Sequence, residues 1–558
     1  MKMKLRLKLK FLIVCLSIPI LLSCGNSVKA DHLKKITSKK AIQTEICVYG
    51  GTPGGVTAAI QAAKMGKSVL LIEPSRHLGG IMVNGLGGTD INNHSEFDND
   101  AAVGGLALEF YKKIFDHYGI ENWQERREDA SIWNFESSVA DSIIKAWVSE
   151  HDIKVLYESR LKLGQESVRK EDGFIKEIKL ESGQVVRADM FIDATIEGDL
   201  VHFAGIDTYI GRESNAKYGE TKNGIRGTNT YRQFEVRVDP YNIPGDSTSG
   251  VIPTIQDEPL GTPGAGDHRI QAYCYRVCLT QKEDNKVPFN RPEGYDRDEY
   301  EIYLRYLEAG GDLYRPSAGL PNGKTDLGVW HDLSHNLYGM NHEYPGGDYQ
   351  TREKIRKQHR VFTQGLFYFL ANDKEVPEEV RNDWGSWGLC KDEFTDNNNW
   401  PRKFYVRDGR RMVSDYVITE HHTKRINPTP VPDPVGVAYW PPDVHHVRRI
   451  IRDGAAYNEG FVFGGDDWGP FGISYRALIP PENQAKNLLT PTVLSASHIG
   501  YGAIRLEWTY MVLGQSAGTA AVLALENGIS VQEVEYDQLH KQLLKDGQVL
   551  EVPPRKLK

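Results

Sequence analysis

The sequence has 558 residues, of which 40% are hydrophobic and 25% are charged, a composition that excludes a disordered chain and provides for a large core. Its formal net charge is −8, and removal of the five cations in the first ten residues gives −13, since −8 minus 5 is −13. So acidic a chain argues against binding to nucleic acid or to anionic membrane surfaces.

The N-terminus has the layout of an export signal. A basic stretch precedes an apolar run at 11–22, which is too short to span a bilayer, and Cys24 follows almost directly. The sequence Leu-Leu-Ser-Cys at 21–24 resembles the bacterial lipoprotein signal, in which cleavage leaves the cysteine as the lipid-modified N-terminus. We therefore predict a signal peptide at 1–23, lipidation of Cys24 and a polar tether at 24–43.

Either this signal or an ordinary secretory signal with an incidental cysteine would export the protein. The rest of the sequence contains no apolar run of about 20 residues, the length that a membrane span requires. Membrane attachment would therefore rest on the lipid anchor only, on the periplasmic side or at the cell surface.

The four remaining cysteines of the folded region are Cys47, Cys274, Cys278 and Cys390. They are too few and too scattered for a disulfide framework. On a predicted strand at 272–279, Cys274 and Cys278 would share one face about 13 Å apart, beyond disulfide distance. We predict buried core cysteines, with a redox pair or a metal site as the alternative.

The folded region begins with a strand-turn-helix-strand unit. The pattern predicts a strand at 46–49, a glycine turn at 50–55, an alanine-rich helix at 56–65 and a strand at 68–73. A unit of about 30 residues in this order is typical of the α/β dinucleotide-binding fold. Further strands are predicted at 154–157, 175–180, 190–194 and 487–493, followed by a small-residue helix at 508–526.

The glycine turn fits the G-x-G-x-x-G pattern with one departure. Gly50 and Gly55 occupy the first and third glycine positions, Thr52 occupies the second, and Pro53 and Gly54 lie between. Threonine is compatible with a phosphate site, because helix N-terminal amides supply the main anion interaction and its hydroxyl offers one more hydrogen bond. Proline suits the first helical position.

The strand after the helix ends at Glu73, where a carboxylate accepts hydrogen bonds from the adenosine ribose. Two more glycine-rich turns follow, at 77–81 and 85–90, and they contribute Gly79, Gly80 and Gly87. Bare backbone of this kind suits close approach to a flat, extended cofactor. The first glycine motif alone does not distinguish NAD from FAD. The two additional turns favour FAD.

The chain divides into three parts by composition. Residues 44–209 form the first part of the cofactor-binding domain, and 441–558 form its C-terminal return segment. Between them, 210–440 is rich in Tyr, Trp, Asn, Asp, Gly and Pro with little sustained periodicity. We predict an inserted substrate or cap domain built of loops and short elements.

From about 45 to 550 the sequence resembles the FAD-dependent oxidoreductase family with a Gly-Gly-Thr-Pro turn, some of whose members are labelled xanthan lyase. The resemblance rests on that turn, on the Leu-Gly-Gly loop and on the segments 191–200, 272–280 and 494–521. It implies a Rossmann-like, glutathione-reductase-type FAD domain whose C-terminal helix points its N-terminus at the flavin. It also implies cofactor contacts by Asp193, Ala194, Asp199, Gly514 and Gln515.

Oxidation of a CH–OH or CH–NH group needs a base beside the flavin, for which histidine is the usual choice. His498 is the first candidate, with Tyr501 and Arg505 close in sequence and His445 as the second histidine. Structural packing of His498 and an ion pair between Arg505 and Glu507 are the alternatives. We predict no metal, since these histidines lack a recognisable ligand spacing.

The leading functional hypothesis is an exported FAD-dependent dehydrogenase or oxidase of a small organic substrate, such as a carbohydrate or glycan-derived alcohol. Aromatic pairs at 384–387 and 439–440 are candidate surfaces for stacking sugar rings, with packing in the core as the commoner alternative for such residues. No second nucleotide motif is visible, so electrons would pass to oxygen, a quinone or a protein carrier. The alternatives are a flavin-dependent lyase or isomerase without net redox change and a non-catalytic glycan-binding lipoprotein.

Overall fold

A computed structural model describes residues 40–93, 98–228, 231–328, 331–464 and 467–553. The signal peptide, Cys24 and the tether up to 39 lie outside these residues. The described residues from Lys40 onward form one compact unit. Within this part, no helix has the length and apolar character needed to cross a bilayer.

The predicted dinucleotide-binding unit is present and forms the centre of a mixed sheet. Its strands are β1 (Ile42–Tyr49), β2 (Val69–Ile72), β3 (Lys154–Leu156), β4 (Val168–Glu171), β5 (Phe174–Lys179) and β6 (Val185–Asp193), with a short strand at Leu488–Leu489. The order is β3-β2-β1-β6-β5-β4, and the short strand pairs with the end of β6. Strands β1, β2, β3 and β6 are parallel, and β4 and β5 are antiparallel additions.

The strand register places three chain segments at one edge of this sheet. Tyr49, the last residue of β1, lies opposite Ile72 of β2 and Asp193 of β6. The residues that follow these strands therefore meet at the carboxyl edge, where parallel α/β sheets bind their ligands. The buried ends of all three strands explain why their sequences are apolar without alternation.

Two helices pack closely against each other beside the sheet. The first, α1 (Pro53–Lys64), contacts the long C-terminal helix (Glu507–Asn527) along glycine and alanine surfaces. A Cβ atom on Gly514 would lie 2.0 Å from the carbonyl oxygen of Gly54, and one on Gly518 would lie 2.6 Å from that of Ala58. These glycines let the two helix backbones approach each other.

Outside these elements, six of the described helices have eight to 24 residues, and the other helices and strands are shorter. The other helices are Gly105–His117, Ser137–Glu150, Asp199–Phe203, Asn215–Tyr218, Glu301–Glu308, Tyr349–Asn372, Glu378–Ser386, His498–Gly502 and Tyr536–Lys545. The small sheets pair Thr208–Tyr209 with Arg411–Met412, Tyr241–Ile243 with Asp246–Val251, Pro434–Ala438 with Phe471–Ser474, Asp443–Val444 with Val462–Phe463, and Arg448–Arg452 with Ala455–Glu459. A further sheet contains Leu279–Thr280, Gly388–Cys390 and Lys286–Val287.

Three sequence expectations about the middle segment need correction. The 24-residue helix Tyr349–Asn372 replaces predicted loops, and it is capped by Asp348 and buries one face. The strand expected at 272–279 reduces to isolated bridges before Leu279–Thr280. The aromatic pairs do not form an exposed stacking surface, because Trp384, Trp387, Tyr439 and Trp440 are all buried in the core. By contrast, the four cysteines of the folded region are buried and free, as expected: Cys47, Cys274, Cys278 and Cys390.

Candidate functional site

A cavity with about 1200 Å³ of empty space, part of it open to solvent, lies at the carboxyl edge of the sheet. Six of the residues predicted from sequence to contact the cofactor line this cavity: Gly50, Thr52, Pro53, Glu73, Gly80 and Asp199. They come from the ends of β1, β2 and β6, which the strand register aligns. These six residues therefore form one wall of the candidate site.

Thr52 caps α1 at the glycine turn. Its hydroxyl oxygen accepts a hydrogen bond from the Gly55 amide at 3.2 Å and donates its hydrogen to the Ala194 carbonyl at 2.7 Å. The hydroxyl hydrogen is therefore committed to the protein and is not free for a phosphate, contrary to our sequence expectation. Pro53 has no N–H, and the amides of Gly55 and Val56 are bonded to Thr52, so the Gly54 amide and the positive end of the helix dipole remain for an anion.

Gly55 fulfils the role of the third glycine in the motif. A Cβ atom there would lie 1.9 Å from the Gly50 carbonyl oxygen, so a side chain is excluded where helix and turn meet. Gly50 itself has φ +106°, and a Cβ atom would lie 2.6 Å from the Thr195 amide nitrogen. Both glycines are thus required by backbone geometry.

Glu73 is fixed at the end of β2 by several donors. Its Oε2 accepts the Gly51 amide at 2.9 Å, and its Oε1 accepts the Ser75 amide at 2.8 Å. The Nζ of Lys403 lies 2.8 Å from the same Oε1. The carboxylate is 1% exposed and lines the cavity, which is the position expected for a ribose contact.

The segment after β6 is held by its acidic residues. Asp193 accepts hydrogen bonds from the amides of Thr195 and Val201, each at 3.0 Å, and burial raises its pKa to about 6. Asp199 forms a bidentate pair with Arg352 at 2.6 and 2.8 Å and a third contact with Arg410. Asp193 therefore shapes the loop, whereas Asp199 reaches the cavity wall.

The opposite wall comes from residues that sequence reasoning did not single out as cofactor contacts. The segment from Lys403 to Val406 lines the cavity together with Glu197 and Glu507. Burial raises the pKa of Glu507 to about 8, although Arg505 and Lys403 act in the opposite direction. Glu507 begins the C-terminal helix, so the expectation that this helix points its N-terminus toward the site agrees with its position.

A buried charged cluster adjoins this end of the cavity. Arg505 donates through Nη1 to the Tyr405 hydroxyl at 3.2 Å and through Nη2 to Oδ2 of Asp443 at 2.8 Å. Arg505 is therefore paired with Asp443 rather than with Glu507. The other oxygen of Asp443 lies 3.9 Å from Nε2 of His445. The pKa of His445 is well below its usual value, mainly because the imidazole is buried and also because the cations Arg407 and Arg505 are close to it.

His498 belongs to a second buried network. Its Nδ1 lies 2.8 Å from Oδ2 of Asp408, while its Nε2 is buried without a hydrogen-bond partner among the described residues. Arg411 bridges two carboxylates: its Nη1 lies 2.8 Å from Oδ1 of Asp408, and its Nη2 lies 3.0 Å from Oε1 of Glu213. Burial would raise the pKa of Asp408, but Arg411 and His498 outweigh burial and lower it.

Several candidate residues lie in packed surroundings and do not line the cavity. Tyr501 donates to the Thr492 carbonyl and shares a 2.7 Å hydrogen bond with Tyr510. Gln515 accepts the Leu106 amide at 2.7 Å, and a Cβ atom on Gly87 would lie 2.1 Å from the Phe135 carbonyl oxygen. The other members of this group are Gly54, Gly55, Gly79, Asp193, Ala194, His445, His498, Arg505 and Gly514. The two histidines and Arg505 lie in the buried networks described above, and the other residues support the helices and turns around the site.

No group of three or more His, Cys, Asp or Glu side chains suited to a metal ion occurs within the described ranges. Sequence reasoning did not single out Lys403 and Tyr405, which line the cavity, or Arg407, which follows them. The three residues alternate with apolar residues along an extended segment. That alternation was the signal available in the sequence, but the residues that this segment contacts are distant from it along the chain. Lys403 and Glu73 are 330 positions apart.

The profile of the FAD dependent oxidoreductase family matches residues 45–543, so the chain belongs to this family. Over 40 residues, 7% of the chain, it is 55% identical to the soluble pyridine nucleotide transhydrogenases of Mycobacterium bovis and Mycobacterium tuberculosis, and the match spans 8% of their length.

Among solved structures, L-proline dehydrogenase from P. horikoshii is 19% identical, with 31% of this chain and 59% of that chain covered and a TM-score of 0.24. L-amino acid deaminase from Proteus vulgaris is 13% identical, with 32% and 54% covered and a TM-score of 0.23.

The chain is thus an FAD-dependent oxidoreductase with a Rossmann-like fold, and its cavity fits the cofactor. The N-terminus of α1 can hold the pyrophosphate, and Glu73 can hold the adenosine ribose. A Cβ atom on Gly80 would lie 3.0 Å from Cδ of Pro53, so the absence of a side chain at this position leaves space in the cavity wall. Bound FAD supplies hydride and electron transfer, which no amino-acid side chain provides.

Proposed function

We propose that this member of the FAD dependent oxidoreductase family is a dehydrogenase or oxidase that oxidises a CH–OH or CH–NH group of a small organic substrate. The observation that carries the proposal is His498, a buried imidazole held by Asp408 at 2.8 Å with its second nitrogen unpartnered among the described residues. A carboxylate in this position keeps the hydrogen on Nδ1 and leaves the lone pair on Nε2. That is the arrangement a general base requires.

His445 suits a different task. Its pKa is lowered well below the usual value by burial and by the guanidinium groups of Arg407 and Arg505, so it remains neutral and is a weak base. A neutral imidazole can still donate one hydrogen bond to a substrate and accept another from it. We therefore assign the base to His498 and hydrogen bonding to His445.

The proposed reaction balances as follows. Bound FAD would supply the acceptor for the hydride of the substrate carbon, and Nε2 of His498 takes up the hydroxyl or amine proton. The substrate thereby becomes a carbonyl compound or an imine. Molecular oxygen, a quinone or a protein carrier then takes up the two electrons.

The place of action and the substrate class are also proposals. The basic and apolar N-terminal segment and Cys24 support export and attachment through a lipid. At the cell surface or in the periplasm, glycan-derived alcohols are one substrate class to screen. Substitution Cys24→Ala should move the protein from the membrane fraction to the soluble fraction, and unchanged membrane association would argue against lipidation.

The test begins with the protein from residue 25 onward, saturated with FAD. Alcohols, amines and hydroxy acids are added anaerobically, and absorbance in the flavin band is followed. Bleaching by one compound, with one equivalent of oxidised product, is the expected result. Turnover of a compound in the absence of any acceptor and without bleaching would instead establish a lyase or isomerase, and a protein that fails to bind FAD would contradict the proposal.

A further inference from the structure

Arg407 is a buried cation without a carboxylate partner. Its side chain is 2% exposed, and among the described residues no carboxylate lies within 4.0 Å of its guanidinium nitrogens. Its contacts are neutral: the Ala272 carbonyl at 2.6 Å, the Asn336 side-chain oxygen at 3.3 Å and the Cys274 sulfur at 3.1 Å. Burial of an unpaired guanidinium is costly, so a structure that retains one calls for a counter-ion.

The arginines around Arg407 are already neutralised. Arg276 pairs with Asp326 at 2.6 Å, and Arg505 pairs with Asp443 at 2.8 Å. Asp90 and Glu507 also lie within electrostatic range of Arg505, and burial raises their pKa values to about 6 and about 8. Neither forms an ion pair with Arg407 among the described residues. Arg407 is therefore left without a directly paired negative charge.

Unused hydrogen-bond donors accompany this charge. The Nε of Arg407, Nε2 of Gln271 and Nδ2 of Asn336 are buried and have no partner among the described residues. Two contacts bring them near one another: the Asn336 oxygen accepts from Arg407 at 3.3 Å, and Gln271 directly precedes Ala272, whose carbonyl also accepts from Arg407. Buried donors are normally satisfied, so three in one group indicate a ligand that accepts hydrogen bonds.

The group adjoins the cofactor cavity. The guanidinium carbon of Arg407 lies 4.8 Å from the ring centre of Tyr405, and Tyr405 lines the cavity. On the other side, the chain continues directly from Arg407 to Asp408, the partner of His498. A ligand held by Arg407 would therefore lie close to both the cofactor and the proposed base.

We infer that Arg407, Gln271 and Asn336 bind a carboxylate carried by the substrate. The inference rests on the proposed function and narrows the substrate class to small organic acids bearing an oxidisable alcohol or amine. A carboxylate matches the donors because it supplies one negative charge and only acceptor oxygens. A neutral sugar would leave the charge of Arg407 uncompensated.

The experiment measures binding to the oxidised, FAD-saturated protein, without turnover. Acetate and benzoate are titrated against acetamide and benzamide, with the flavin spectrum and calorimetry as readouts. We expect the acids to bind at least tenfold more tightly than the amides. Substitution Gln271→Glu, which keeps the shape but adds a negative charge, should weaken acid binding at least tenfold, whereas Gln124→Glu on the exposed surface should not.

Arg407→Lys provides a second variant that keeps the charge and loses the fixed fork of donors, and it should also weaken acid binding. Melting temperature and flavin content show that each variant is folded. Equal binding of acids and amides, or acid binding unaffected by both variants, would overturn the inference. A shift of the flavin reduction potential without a change in acid binding would also overturn it, because Arg407 would then serve the cofactor.

The outcomes separate this inference from the proposed function. If acids bind through Arg407 but no acid is ever oxidised, the binding site stands and the oxidation fails. If a neutral alcohol is oxidised with His498 as the base and acids have no effect, the oxidation stands and the carboxylate site fails.

Discussion

Nδ1 of His498 and Oδ2 of Asp408 are 2.8 Å apart, and both side chains are buried. The other oxygen of Asp408 accepts a hydrogen bond from Arg411 at 2.8 Å, so the carboxylate is itself held in place. Asp408 and Arg411 come from the middle of the chain, and His498 comes from its C-terminal part. Asp408 is thus a positioning residue that acts through the imidazole.

Substitution of either partner should slow the reductive reaction. His498→Gln removes the proposed base, and we expect the anaerobic rate of flavin reduction to fall about 10²- to 10⁴-fold. Asp408→Asn should lower the rate less and shift its pH profile, a change that a purely structural role would not produce. Stopped-flow absorbance with a substrate from the screen measures both. His117→Gln on the exposed surface is the control, and a His498→Gln rate equal to the control rate would exclude the assignment.

Glu73→Gln should weaken FAD binding. The substitution removes the negative charge that faces Lys403. It also replaces one carboxylate oxygen with an amide NH2 group, which cannot accept the hydrogen bond that a backbone amide donates to that oxygen. Hydrogen bonds to charged groups contribute about 1.5–3 kcal/mol, which corresponds to a rise in Kd of roughly 10- to 150-fold. Titration of the apoprotein with FAD by fluorescence quenching gives the Kd. Exposed Glu121→Gln should leave it unchanged, and an unaltered Kd in Glu73→Gln would remove Glu73 from the cofactor site.

Gly514→Ala should destabilise the crossing of α1 and the C-terminal helix. The new Cβ atom would lie 2.0 Å from the Gly54 carbonyl oxygen, so the helices must separate. Overpacking of this kind costs about 1–3 kcal/mol or more. Gly385→Ala is the matched control, since its Cβ atom would have 3.8 Å to the nearest atom within an exposed helix, and there alanine should stabilise by about 1 kcal/mol. Denaturant unfolding distinguishes the two, and equal stabilities would show that the helices reposition freely.

The first strand-turn-helix-strand unit was predictable because its signals are local. The helix expected at 508–526 was likewise found at Glu507–Asn527, since small residues and a following Gly528 mark it in sequence. The wall from Lys403 to Val406 was not predictable, because its contacts with Glu73 span 330 positions and leave no local pattern.

Two hypotheses from the sequence fail for the same physical reason. An ion pair between Arg505 and Glu507 was one alternative, but a helix begins at Glu507, and Arg505 pairs with Asp443 instead. The aromatic residues at 384–387 and 439–440 were candidates for a sugar surface, but the core takes up these large apolar side chains. In both cases tertiary packing decided what composition and spacing left open.

Glu507→Gln should change how stability depends on pH. Burial raises the pKa of Glu507 to about 8, whereas an unfolded chain has a glutamate pKa of about 4.3. Between these values the folded protein holds a proton that the unfolded chain has released, so the contribution of Glu507 to stability falls as pH rises through this window. Glutamine does not titrate and escapes this loss.

We therefore expect the melting temperature of Glu507→Gln, relative to the unsubstituted protein, to rise from pH 5 to pH 8 and to level off above it. Both proteins are compared saturated with FAD, and exposed Glu125→Gln serves as the control that should show a constant difference. The same substitution should abolish any change in the flavin spectrum that titrates near pH 8, because Glu507 lines the cavity. A melting-temperature difference independent of pH would mean that Glu507 is ionised throughout and that its neighbours Arg505 and Lys403 outweigh its burial.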